Sequence, residues 1–235
     1  DDDQFSTILT TLQSYIWRRF IMNLPVSRLN KSFPALHTNI DKDRYEVSLQ
    51  TLLINKTRHE RFPTDSEING TFIGFDLYNA DVKKRNYTLR CLEEFQNLES
   101  VDLSGMTLEH VFPQRPGQDW KTHLSDAEIE TVLSELVHTV GNLTFTHYNS
   151  TYSNRYFTEK RDGPKGLANS RLFLNSSFRS QQTWGAEDII ARGKGLVSRA
   201  VQVWPGLPEE LRMDATEGEM PLHHLGSVTG LRIEY

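Results

Sequence analysis

Apolar residues recur at three- and four-residue steps through most of this chain, the spacing of an amphipathic helix. Two short runs depart from it, Leu108 to Phe112 and Leu143 to Thr146, and read as strands. That combination predicts a mainly α (α+β) fold in which helices supply most of the core. With 235 residues, 37% hydrophobic and 24% charged, the chain can build one large or two small units with real cores, which excludes collagen-like and wholly disordered classes. No apolar stretch approaches the roughly 20 residues of a bilayer span, and the opening residues carry no secretory pattern. The single cysteine, Cys91, excludes an internal disulfide or multi-thiolate zinc site and points to a reducing compartment, the cytoplasm. Because the chain opens Asp1-Asp2-Asp3 without methionine, it is expected to be a piece of a longer protein.

Three segments are expected. Residues 1–104 read as a helical scaffold without a motif for chemistry. Phe5, Ile8, Leu9, Leu12, Ile16 and Phe20 predict a helix ending near Pro25, with Arg18 and Arg19 on its other faces. Shorter patterns follow at 26–40 and 47–54, a turn at Phe62 to Asp65 opens another helix, and Leu89, Leu92, Phe95 and Leu98 form a further stripe. Residues 105–205 carry the two strands. Between them, Ser125 and Glu128 predict a capping box for a helix striped by Ile129, Val132, Leu133, Leu136 and Val137. Tyr148 to Lys160 is expected to turn helical in its later part, 162–183 is a loop, and a helix from about Ala186 to Trp204 stops at Pro205-Gly206. Residues 206–235 read as an acidic tail.

Glu109, His110, Asn142, Asn149 and Lys160 are the raw material of a one-metal nuclease site. Phosphodiester hydrolysis needs a base for water, a cation against the charge growing on the phosphate, and rigid placement of both. Adjacent Glu109 and His110 on a strand project to opposite faces, so both serve one site only if the strand ends in an irregular turn, which Phe112-Pro113 makes plausible. Asn142, at the turn before the second strand, can bond backbone across the loop and hold the histidine segment. Asn149 offers the neutral oxygen that magnesium or manganese accepts.

Together these residues resemble the HNH (His-Me finger) endonucleases, in particular the nuclease domain of GmrSD-type, modification-dependent restriction proteins. The matching strings are Thr107 to Gln114, His138 to Phe145, Asn149 to Asn154, Phe157 to Lys160, Ser170, and Trp184, Ile189 and Arg192. The resemblance implies a ββα-metal core with His110 as general base and Asn142 orienting it. It also implies that Glu109, with Asn149 or Asn154, binds one Mg2+ or Mn2+ ion, and that Lys160 approaches phosphate. It further implies a double-stranded DNA substrate, an upstream nucleotide-binding sensor, and one strand cut per visit. Cys-x-x-Cys knuckles are missing, so no structural zinc is expected, and an extra helix separates His110 from Asn142.

The other notable residues have simpler readings. His138 suits a helix C-terminus, His123, His147, His223 and His224 suit exposed surface, the four tryptophans suit core anchors, and Cys91 suits a small buried hydrophobe. The net charge of −5 argues against a polyanion partner until it is divided: −2 over 1–104, −4 over 105–154, +5 over 155–199 and −4 over 200–235. Arg155, Arg161, Lys165, Arg171, Arg179 and Arg192 in the basic stretch are therefore the candidate DNA contacts. A nuclease-derived binding or assembly module, inactive without its sensor, is the competing reading, and RNA is a third.

Overall fold

The computed structural model describes residues 2–99 and 101–212. The acidic tail beyond Arg212, with His223 and His224, lies outside the described residues. Five helices come first: α1 (Asp2–Ile21), α2 (Leu29–Asn39), α3 (Tyr45–Ile54), α4 (Asp65–Phe72) and α5 (Val82–Glu94). The expected turn at 62–65 is a complete capping box, Thr64 accepting from the Glu67 amide while Glu67 accepts from that of Thr64. Helix α5 stops at Glu94, so the stripe Leu89, Leu92, Phe95, Leu98 does not continue into the core: the first two are buried and Leu98 is fully exposed.

Then come β1 (Thr107–His110), α6 (Gln118–His123), α7 (Asp126–Thr131), β2 (Leu143–Thr146), α8 (Asn149–Tyr152), α9 (Phe157–Asp162) and α10 (Ala186–Val203). β1 and β2 pair antiparallel, Glu109 opposite Thr144 and His110 opposite Leu143. The fold is mainly α with this one two-stranded sheet among the described residues. Ser125 caps α7 by accepting the Glu128 amide, but the Glu128 carboxylate turns instead to the Ala186 amide that opens α10, so half of the expected capping box is spent joining two helices. A wide π-turn, Val132–Leu136, follows α7.

One core crosses residue 104/105, where the expected boundary fell. Trp17, Ile21, Phe72, Leu89 and Leu92 pack with Val140, Leu143, Phe145, Leu174, Leu196 and Trp204. Trp17 and Trp204 stack at 3.9 Å. Arg18 and Arg19 do lie off the apolar stripe of α1, yet both are buried. Arg18 donates to the carbonyls of Trp204 and Pro63 and pairs with Asp65, tying α1 to the end of α10. A second cluster, Val111, Phe112, Trp120, Ile129, Tyr152, Phe157 and Trp184, gathers at the N-terminal end of α10 around Ile189, so all four tryptophans are core residues. Cys91 packs against the first cluster, half-buried. No described helix is long and apolar enough to cross a membrane.

Candidate active site

The site begins where β1 ends. Asn142 is wholly buried. Its Oδ1 accepts from the Phe112 amide (2.7 Å) and the Trp184 indole (3.1 Å), and its Nδ2 donates to the carbonyls of Phe112 and Val137, both at 2.9 Å. Its carbonyl accepts from the Val111 amide. The side chain is fully engaged, with two bonds to the Phe112 backbone, one to Trp184 and one to Val137, while the Asn142 carbonyl holds Val111, so this one residue ties down the two residues after His110. Gly141 beside it has a steric reason: a Cβ there would lie 2.2 Å from the Ile189 carbonyl oxygen of α10. Side chain and close packing thus explain the Gly-Asn pair, and the expectation that Asn142 holds the histidine segment takes a definite form.

Glu109 and His110 reach different neighbours, as strand alternation dictates. Glu109 is 3% exposed, and Lys160 of α9 is fully buried. The Lys160 ammonium donates to Glu109 Oε1 (2.6 Å) and to the carbonyls of His110 (3.0 Å) and Val111 (3.1 Å). Burial pushes the Glu109 carboxyl up to about 7 although Lys160 pulls the other way, and it pushes the Lys160 ammonium down. The lysine expected to approach phosphate instead braces the chain on both sides of the His110 peptide.

His110 is 9% exposed. Its Nε2 lies 3.2 Å from Nδ1 of His138, its Nδ1 lies 3.3 Å from Nε2 of Gln114, and the Tyr78 ring packs edgewise at 4.3 Å. Burial above all, then His138, Lys160 and Arg85, lowers its pKa to about 3, so the imidazole is neutral. His138, Gln114 and Tyr78 are the neighbours that sequence reasoning missed. For His138 a signal existed: it stands four residues before Asn142, the residue expected to hold the His110 segment, and so had to return beside it. Tyr78, 32 residues upstream of His110, gave none.

Of the residues expected to hold a divalent ion, Glu109 has its carboxylate engaged by Lys160, while Asn149 keeps its side-chain oxygen for one. The Glu109 carboxylate already accepts the Lys160 ammonium, and the residue is 3% exposed. Asn149, which opens α8, donates its amide nitrogen to the Leu108 carbonyl at 2.6 Å, a bond that orients the side chain and leaves Oδ1, the atom a cation would take, free among the described residues. Asn154 is exposed beside Gly117, with its carbonyl accepting from the Trp120 indole. Among the described residues no three His, Cys, Asp or Glu side chains gather as a metal group.

The basic stretch also divides. Arg192 is buried and donates to the carbonyls of Val140, Gly141, Leu143 and Leu174, which removes it from the candidate DNA contacts and makes it a clamp on the β2 approach. Arg161 pairs with Asp162 and donates to the Gln181 carbonyl. Arg155, Lys165, Arg171 and Arg179 are exposed, with Lys165 over the Tyr148 ring and Arg179 on the Ser170 carbonyl. His123 and His147 are exposed as expected.

The fold and site define a class: a helix-framed, two-stranded domain that presents a buried neutral histidine at a strand end braced by asparagine and lysine. The family model of the GmrSD restriction endonucleases, C-terminal domain, matches residues 62–199, and the chain belongs to that family. The match spans the core that crosses 104/105 and includes Tyr78, His110, Asn142 and Lys160. No curated protein matches the chain.

Proposed function

We propose that this chain is the phosphodiester-cleaving part of a restriction protein, an HNH (His-Me finger) endonuclease that nicks double-stranded DNA. The observation that carries the reading is His110: a neutral imidazole at the end of the first of two paired strands, its segment pinned by Asn142, with the short helices α8 and α9 following the second strand. The antiparallel pairing of β1 with β2, and the helix α8 that follows β2, support a ββα-type core with α6 and α7 inserted between the strands. In the reaction His110 takes a proton from water, the water oxygen bonds phosphorus, and the P–O bond to the leaving oxygen breaks. The approaching phosphate brings negative charge, which strengthens His110 as a base by favouring its protonated form. Arg155, Lys165, Arg171 and Arg179 present exposed charge to the backbone.

The family resemblance implies Mg2+ or Mn2+, to which Asn149 would offer Oδ1 and Glu109, here paired with Lys160, its carboxylate; no step is routed through the ion. An upstream nucleotide-binding sensor that reads DNA modification, and a cytoplasmic setting, belong to the same reading. The test is plasmid nicking by wild type and His110→Ala, each with magnesium, with manganese and with chelator. Nicking lost in His110→Ala supports the assignment. Identical behaviour of the two proteins refutes it, and DNA retardation by both without nicking favours a binding module.

A further inference from the structure

We propose that His138 is the positioning residue of His110, holding its ring and fixing which nitrogen carries the proton. The proposal rests on the reading of His110 as a base and adds a residue that reading does not use. Two contacts define it. Gln114 Nε2, an amide nitrogen that only donates, lies 3.3 Å from His110 Nδ1, and His138 Nδ1 lies 3.2 Å from His110 Nε2. With the Gln114 amide assigned in this orientation, one proton arrangement satisfies both contacts: Nδ1 of His110 accepts, and Nε2–H donates to His138. The basic lone pair then sits on the side of exposed Gln114, where water can replace the amide, and the protonated nitrogen faces inward.

His138 is itself held on two sides. Its carbonyl accepts from the amides of Leu77 and Tyr78, and its ring stacks on Tyr78 at 5.0 Å and 12°. Tyr78 is secured by Arg85, which donates to its carbonyl at 2.7 Å and lies over its ring. The loop between α4 and α5, in a segment expected to be scaffold without chemistry, therefore braces the imidazole from behind. Lys160 and Asn142 hold the backbone of the His110 segment, and the His138 and Tyr78 pair holds the ring. A water proton arriving at Nδ1 leaves the Nε2–H bond in place, so the base need not rotate between taking and releasing it.

The test compares His138→Phe, which keeps ring volume and stacking but cannot accept, with His138→Asn, which restores an acceptor near the Nδ1 position. It uses the full 235-residue chain, plasmid nicking rates, and nitrogen-15 NMR of the His110 ring. The expected result is a loss in kcat of about tenfold to a hundredfold in His138→Phe, with KM changed less than about twofold. His138→Asn recovers most of that loss, and His110 moves from Nε2–H in wild type to mixed tautomers in His138→Phe only. Full kcat and an unchanged tautomer in His138→Phe, or equal damage in both variants, overturns the proposal. A wild-type His110 carrying its proton on Nδ1 overturns it without any variant. If wild type does not nick, the function reading falls while the NMR comparison still decides the positioning role.

Discussion

Replacing Lys160 by methionine separates two meanings of that lysine. A phosphate-seeking lysine is free in the apo protein, so its loss changes DNA binding and leaves stability alone. Lys160 instead has zero exposure and spends all three ammonium donors on Glu109, His110 and Val111. Removing one partner of a buried pair costs about 3–5 kcal/mol, because the other charge is stranded. At about 2–4 °C per kcal/mol for a chain of this size, Lys160→Met should melt roughly 6–20 °C below wild type. The double variant Lys160→Met, Glu109→Leu should recover much of the loss, since it strands no charge. The deficit should also depend on pH. The Glu109 carboxyl is raised from 4.5 to about 7, so its contribution is fully present below 4.5 and lost as pH rises through 7. Without the ammonium its pKa rises further, and Lys160→Met should lie nearer to wild type at pH 5 than at pH 8. The measurement is thermal unfolding of the four cycle members at both pH values. A Tm within 2 °C of wild type at pH 8, together with a loss in DNA affinity, would refute the brace and restore the phosphate reading.

Arg192→Gln should lower Tm by the cost of leaving buried carbonyls unpaired, about 1–3 kcal/mol, with no change in the salt dependence of DNA binding. Arg171→Gln with Arg179→Gln should do the opposite, reducing the slope of log affinity against log salt by about 1 for each lost phosphate contact. Gly141→Ala drives a methyl into the Ile189 carbonyl and should cost at least about 1–3 kcal/mol in urea unfolding; a neutral result would show that α10 can shift. The depressed pKa of His110, about 3 against 6.5, stabilises the folded state above pH 6.5 and is lost as pH falls towards 3. Between pH 7 and pH 5 that amounts to about 2 kcal/mol, to be read as the difference between the wild-type and His110→Asn denaturation curves.

The elements were legible because they depend on neighbours in sequence. A 3.6-residue stripe marks α1 and α10 whatever they pack against, Thr64 and Glu67 cap within one turn, and the two short strand runs stood out as breaks in the helical period. The strings around His110 and Asn142 carried the family, although the contacts that Gly141 and Asn142 serve, with Ile189, Phe112 and Trp184, are long-range. The expected stripe through Leu98 ran past the end of α5 because apolar spacing does not say where tertiary support stops.

Partners across the chain were not legible. A lysine or arginine reads the same in sequence whether it faces phosphate or a ring of carbonyls, and only the fold put Lys160 against Glu109 and Arg192 against four backbone oxygens. Charge counting treated both as surface, so the basic segment exposes less free charge than its +5 suggested. His138 read as a helix-end residue because its stacking partner, Tyr78, comes from a loop 60 positions upstream. Local periodicity and motif thus determined the helices, the strand pair and the histidine on which the proposed function rests. Tertiary structure alone decided what touches that histidine, because burial and long-range pairing, not residue type, set the charge and orientation of a buried group.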